Sequence, residues 1–195
     1  MRQPVQLCRF ITTQPGGIPL KHPLSLVASV LLLVFLCSCA ATPPPPPPVP
    51  AYPLLRDGIR LRLKADHQLN QTDDVPHALL LCLYQLRDRS MFDQLAANED
   101  GIYQLLDCQP FSDSVTAVKR LFIQPGQDLT FIMDRQAGTR SLGIVAGYAV
   151  LDKNRMIRVA DVPVIVSKDG KSATAGELNL ILDLGSQQIA AIQER

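Results

Sequence analysis

Residues 54–195 predict a mainly β domain: a two-sheet antiparallel β-sandwich with a short helical insertion. Three observations carry this. The stretch opens on an unbroken apolar–charged alternation, about eight short β-rich runs follow at near-regular spacing between turn residues, and only one short segment has helical texture. About 140 residues is the usual size of one domain around one core.

The elements follow in order. Ile59-Arg60-Leu61-Arg62-Leu63-Lys64-Ala65-Asp66 alternates without a fault, the mark of a half-buried strand with Ile59, Leu61, Leu63 and Ala65 facing inward. Ala78 to Leu86 is too uniformly apolar for a surface helix and reads as a central strand. Ser90 precedes Asp93 by three residues in a capping-box pattern, and Phe92, Leu95 and Ala96 share a helical face, so Met91 to Ala97 reads as a short helix. A second helical turn is expected over Gly101 to Leu106. Val115 to Ile123 and Leu129 to Met133 flank Gln124-Pro125-Gly126-Gln127 and read as a hairpin. Ser141 to Leu151 is the next strand region, Asp152-Lys153-Asn154 a turn, and Met156 to Val166 a further strand region. Lys168-Asp169-Gly170-Lys171 carries the Asp-Gly hairpin signal, and Leu178 to Asp183 and Ile189 to Ile192 close the chain.

The first 53 residues are built differently. Arg2, Arg9 and Lys21 precede an apolar run from Leu24 to Leu36 with no acid, the n-region and h-region of an export signal. The run of about 13 residues is shorter than the roughly 20 a spanning helix needs. Leu36-Cys37-Ser38-Cys39 then resembles the bacterial lipobox, which makes 1–38 a lipoprotein signal peptide and Cys39 the lipidated first residue of the mature chain. The alternative is an ordinary signal peptide cut after Ser38 or Ala40. Several acyl chains at about 0.8 kcal/mol per buried methylene would make the attachment permanent, and Ala40 in second place implies, by the same resemblance, sorting to the outer membrane. Six prolines from Pro43 to Pro48, then Pro50 and Pro53, predict a polyproline II spacer over 39–53, roughly 30 Å long at about 3.1 Å per residue.

Charge and chemistry narrow the function. The full chain of 195 residues has a net charge of +1, no Trp and 5% aromatic residues, without the basic footprint of a nucleic-acid protein. Removing residues 1–38 takes away three basic groups and no acid, leaving 16 Lys and Arg against 18 acids, a net charge of −2. Cys8 and Cys37 leave with the signal, so Cys82 and Cys108 alone remain in the domain; they either pair, as an oxidising compartment allows, or are small buried hydrophobes. The catalytic inventory is bare: no GxSxG, HExxH, CxxC or phosphate-binding glycine loop. Asp66, His67, Asp73, Asp74 and His77 flank one loop, at a spacing that matches no established metal site, and read as solvated loop residues. The expectation is no enzyme, no metal and no cofactor beyond the covalent lipid. The same polar loop also reads as a recognition surface, since loops on rigid sandwiches commonly carry specificity.

Several ordered features resemble the outer-membrane lipoprotein family of the type VI secretion system, TssJ. The lipobox cysteine Cys39 comes first. Leu69-Asn70 then stands where the family's first strand ends, and Leu81-Cys82-Leu83-Tyr84-Gln85-Leu86 is similar to its strand ending in Tyr-Gln-Leu. Phe92 and the helical insert follow, then Gln124-Pro125-Gly126, then Leu142-Gly143-Ile144-Val145-Ala146-Gly147-Tyr148. The resemblance implies a transthyretin-like sandwich on the periplasmic face of the outer membrane. It also implies a structural role: binding the periplasmic C-terminal region of TssM, an inner-membrane protein, through the loop between first and second strands. Here that loop is Asn70, Gln71, Thr72, Asp73, Asp74, Val75, Pro76 and His77. A solitary periplasmic or pilotin-like lipoprotein with another client is the alternative. A transthyretin-like hydrolase is a third reading, for which His67 and His77 lack the converging arginine.

Overall fold

The computed structural model of the chain describes residues 46–194. Cys39, the signal segment 1–38 and the prolines from Pro43 to Pro45 lie outside the described residues. The alternating segment becomes β2 (Leu55–Ala65), following a two-residue β1 (Pro50–Ala51). Ile59, Leu61 and Leu63 are fully buried and Arg60 and Arg62 exposed, as a strand with one face on the core requires. Leu69-Asn70 does not end this strand: it stops at Ala65, where Asp66 begins a turn by accepting the backbone N–H of Gln68 at 2.8 Å.

β3 (Leu79–Leu86) is buried on both faces, which explains its continuous apolar run. Leu79, Leu81 and Leu83 point into the sandwich, while Cys82, Tyr84 and Leu86 point into a second apolar cluster beneath two helices, α1 (Ser90–Leu95) and α2 (Glu99–Leu106). Ser90 is not a side-chain cap. The Asp88 carboxylate accepts the Ser90 N–H at 2.8 Å, and Arg89 pairs with Asp93 one turn along. Asn98 caps α2 by accepting the Gly101 N–H at 2.8 Å. Gly101 is required where the helices meet, since a Cβ there would lie 2.1 Å from the Leu95 carbonyl oxygen.

β4 (Val115–Ile123) and β5 (Asp128–Arg135) are strands, but not the hairpin expected around Gln124-Pro125-Gly126-Gln127. β4 pairs with β3 and β5 with β2, so the turn carries the chain from one sheet to the other. β6 (Ser141–Ala146) follows. The expected turn at Asp152 is a one-turn helix, α3 (Lys153–Met156), capped by the Asp152 carboxylate on the Asn154 N–H at 2.9 Å. The expected Met156–Val166 strand is two strands, β7 (Ile157–Asp161) and β8 (Val164–Val166), broken at Val162-Pro163, where proline has no N–H for a ladder. The Asp-Gly turn joins β8 to β9 (Ala173–Ala175) in an antiparallel hairpin, with Gly170 at φ 69°. β10 (Leu178–Leu184) and β11 (Ile189–Glu194) complete the chain.

Two four-stranded sheets face each other, β11-β10-β2-β5 and β4-β3-β6-β7, around a core of Leu, Ile and Met side chains, and the mainly β sandwich is as expected. Within these two sheets pairing is antiparallel except between β2 and β10, which run parallel because the chain makes a long return through the second sheet before re-entering beside β2. A third, three-stranded sheet, β1-β9-β8, sits at the end where β2 begins. Its β1 pairs Pro50 with Ala173 and Ala51 with Thr174, and Tyr52 packs on the core. The folded unit therefore starts within the expected 39–53 spacer, not at residue 54.

Candidate functional site

The predicted recognition loop stands at one end of the sandwich, built from the chain between β2 and β3. Its tip is a tight turn. Thr72 and Val75 exchange backbone hydrogen bonds of 3.0 and 2.9 Å, and the two residues between them, Asp73 and Asp74, have φ of 50° and 60°. Two successive positive φ values define a type I′ turn, which tolerates Asp because its short polar side chain suits the left-handed region. Asp73, Asp74, Val75, Pro76 and His77 are all exposed.

The root of the loop is fixed from several sides. Leu69 is fully buried, and its carbonyl accepts the His77 N–H at 2.9 Å. Asn70, at φ 48°, bridges two segments: its amide donates to the Ala78 carbonyl at 3.2 Å and its carbonyl oxygen accepts the Ala149 N–H at 3.2 Å. The Gln71 N–H donates to the Ser186 carbonyl at 2.9 Å, and its side chain reaches the Asp74 carboxylate at 3.4 Å. The Tyr148 hydroxyl donates to the Gln188 carbonyl at 2.8 Å, with burial pushing the phenol pKa up. The Gly126 N–H donates to the Asp66 carbonyl at 3.0 Å, and His67 lies so close that a Cβ on Gly126 would be 2.7 Å from its Nδ1. Four connections, 66–78, 124–127, 147–152 and 185–188, thus form one hydrogen-bonded end surface. Sequence reasoning missed the last two as contributors, because turn residues mark where strands end but not which ends share a face.

This surface presents two carboxylates at a rigid tip beside the exposed Val75 and Pro76, with Val150 exposed on the loop that Asn70 holds. That suits recognition of a protein surface bearing basic and apolar groups. His67 packs on Gly126, while His77 closes the root of the loop through its backbone N–H on the Leu69 carbonyl. Among the described residues no three His, Cys, Asp or Glu side chains gather as a metal site.

Cys82 and Cys108, the other candidate pair, are joined in a disulfide with Cα atoms 5.3 Å apart, tying β3 to the end of α2. Around it, the Tyr84 hydroxyl donates to the Leu105 carbonyl at 2.5 Å, with burial raising its pKa to about 12. Tyr84, Phe92 and Phe111 pack with ring centroids 5.5 to 6.4 Å apart. The bond thus belongs to a buried structural cluster. Cys39 lies outside the described residues. Among those described, no helix is long and apolar enough to cross a membrane.

Similarity to solved structures agrees with this architecture. The T6SS lipoprotein TssJ1 of Pseudomonas aeruginosa is 23% identical with a TM-score of 0.51, the match covering 74% of this chain and 97% of that one. A chain in the structure described as the T6SS protein TssM C-terminal domain (869–1107) from EAEC is 19% identical with a TM-score of 0.50, over 70% of this chain and 96% of that one. A chain of a type VI membrane complex matches at 18% identity and a TM-score of 0.50, with the same coverage. No curated protein matches the chain in sequence. The model of the type VI secretion lipoprotein family, described as VasD, EvfM, TssJ and VC_A0113, matches residues 57–180. Spanning well over half of the chain and most of its sandwich, that match shows that the chain belongs to the type VI secretion lipoprotein family.

Proposed function

We propose that the chain is a non-enzymatic assembly protein of a type VI secretion membrane complex. In this reading Cys39 carries the lipid that holds it to the periplasmic face of the outer membrane. The loop Asn70 to His77 grips the periplasmic C-terminal region of a TssM-like inner-membrane protein.

The observation that carries this reading is the polarity of the sandwich. The N-terminal segment enters at the β1-β9-β8 end, and the rigid acidic loop stands at the other end of β2, eleven residues of strand away. Because β2 bulges between Leu55 and Ile59, where four residue steps match two of β5, the separation is about 26 Å at about 3.3 Å per regular step. A protein fixed at one end and presenting a preformed loop at the other is built to join a membrane to something beyond it. The likeness to chains in structures described as a TssM C-terminal domain and a type VI membrane complex supports the choice of partner.

The test is a pull-down from native envelopes with tagged full-length protein and mass spectrometry, run beside two loop variants. Asp73→Asn with Asp74→Asn removes both charges while keeping residues that favour positive φ. Replacing Gln71 to Pro76 by a single glycine leaves Asn70, already at φ 48°, as the first residue of an Asn-Gly turn closing the existing Leu69–His77 hydrogen bond. We expect the native protein to recover a large TssM-like protein, the charge variant to recover several-fold less, and the shortened loop none, with unchanged melting temperatures. Equal recovery by all three would place the interface elsewhere. Recovery of no such protein by any of them would leave a family fold serving another client.

A further inference from the structure

Apolar exposure concentrates at the end of the sandwich opposite the loop. Of the eleven large hydrophobic residues exposed among those described, five lie on or beside the β1-β9-β8 sheet: Val49 (89% exposed), Leu54, Val164, Ile165 (65%) and Val166 (54%). Register sorts the sheet's two faces. Pro50, Ala173 and Val166 share the face toward the body, where Ala173 and Ala175 are buried. Ala51, Thr174 and Ile165 share the opposite face, and all three are exposed without a charge among them. The hairpin tip beyond carries Lys168 and Lys171. The one acid there, Asp169, is engaged by the Ser167 hydroxyl at 2.5 Å and the Lys171 N–H at 3.2 Å, so the tip has a net charge of +1.

Among the described residues β8 is also a free edge, which raises the question of a pairing strand from another protein. Three residues starting directly after Pro163 offer too few ladder bonds to hold a partner strand, and both faces of the hairpin, not only its edge, expose aliphatic groups. What distinguishes this patch is its place on the chain. Pro46 to Val49 run directly from β1, and Cys39 lies eleven residues before Pro50, within about 34 Å of fully extended polyproline II chain.

We infer that the β1-β9-β8 sheet is a membrane-resting platform. Its aliphatic outer face, Ala51 and Ile165 with Val49 at the margin, lies in the interfacial zone of a phospholipid leaflet. Lys168 and Lys171 meet the lipid phosphates. Interfacial depth suits the hairpin, because the unpaired backbone groups of the β8 edge stay hydrated there and would not in hydrocarbon. The inference rests on the Cys39 anchor, and it departs from the sequence expectation of a domain held roughly 30 Å off the bilayer.

The chain has no Trp, so single tryptophans report position without background. The mature lipidated protein carrying Ile165→Trp, Val49→Trp or, at the opposite end, Val150→Trp is reconstituted into phosphatidylethanolamine–phosphatidylglycerol vesicles with brominated acyl chains, and each sample is first floated on a gradient. We expect all three to float, the first two to shift to the blue and lose most of their emission, and Val150→Trp to keep its own. Flotation with all three equally unquenched overturns the platform and leaves the anchor standing. Absence of flotation overturns the anchor and the platform with it. A blue shift that brominated lipid does not quench, together with a doubled mass in detergent, would make the sheet a contact between two copies and overturn the lipid assignment.

Discussion

Gln85 occupies the place where one buried amide joins the two sheets. Its side chain comes from β3 in one sheet and donates to the Asp134 carbonyl of β5 in the other at 2.8 Å. The amide oxygen accepts the Gln136 N–H at 2.8 Å and the Thr139 hydroxyl at 3.0 Å. The ladders leave these groups free, because β2 bulges opposite Asp134, and by Gln136 and Thr139 β5 has ended and the chain is turning toward β6. Gln85→Leu keeps the volume and strands the buried groups, so it should cost about 2–4 kcal/mol, the order expected for two or three abandoned hydrogen bonds. Urea unfolding of the oxidised protein reads this out, and a loss below about 0.5 kcal/mol would show that the groups find other partners. The Tyr-Gln-Leu run that carries the family resemblance thus has a physical content: Tyr84 ties β3 to α2, Gln85 ties it to β5, and Leu86 fills the cluster between. Gly143 in the other motif has a similar reason, since a Cβ there would lie 2.6 Å from the Phe92 ring. None of these partners was legible in sequence, because each is distant along the chain; only the residue types were.

At the scale of elements, strands were legible and their partners were not. Alternation located β2 to within a few residues, and a doubly buried strand announced itself at β3 by losing alternation. The β4–β5 connection misled because a Pro-Gly turn between two strands looks the same whether the strands pair or separate into facing sheets. What decides is the register of distant neighbours, Leu83 beside Lys119 and Leu61 beside Phe131, which no local pattern contains. The parallel β2–β10 pair was invisible for the same reason. The helical insertion shows how such a layer is held. α2 ends at Asp107, and Cys108 takes the left-handed position after it at φ 52°, where glycine is usual. From there its sulfur reaches Cys82 across a separation of 26 residues. Closing a loop of that length should contribute about 3–4 kcal/mol in the chain-entropy account. Cys82→Ala with Cys108→Ala should therefore lower unfolding free energy by that order in urea, and reduction of the native protein should do the same. An unchanged midpoint would mean that packing of Tyr84, Phe92 and Phe111 holds the insert unaided.

For the whole molecule, the described fold and the proposed anchor divide at the proline run. Residues 46–195 form one compact unit, and its β1 strand, core and disulfide all lie within it. With the strand, core and disulfide all inside that unit, anchoring and folding should separate cleanly. A lipidated chain gains its membrane affinity from acyl burial, at about 0.8 kcal/mol per methylene, and that term vanishes with the thiol. The aliphatic face at Ala51 and Ile165 is too small to replace several acyl chains. Cys39→Ser, exported through an ordinary signal peptide, should thus have the melting temperature of the native domain, retain its disulfide, and bind the TssM-like periplasmic region in solution. On fractionation it should move from the outer-membrane fraction to the soluble periplasmic one. Retention in the membrane fraction without lipid would mean that the domain itself supplies the affinity. A lowered melting temperature would mean that the fold leans on the anchor segment after all.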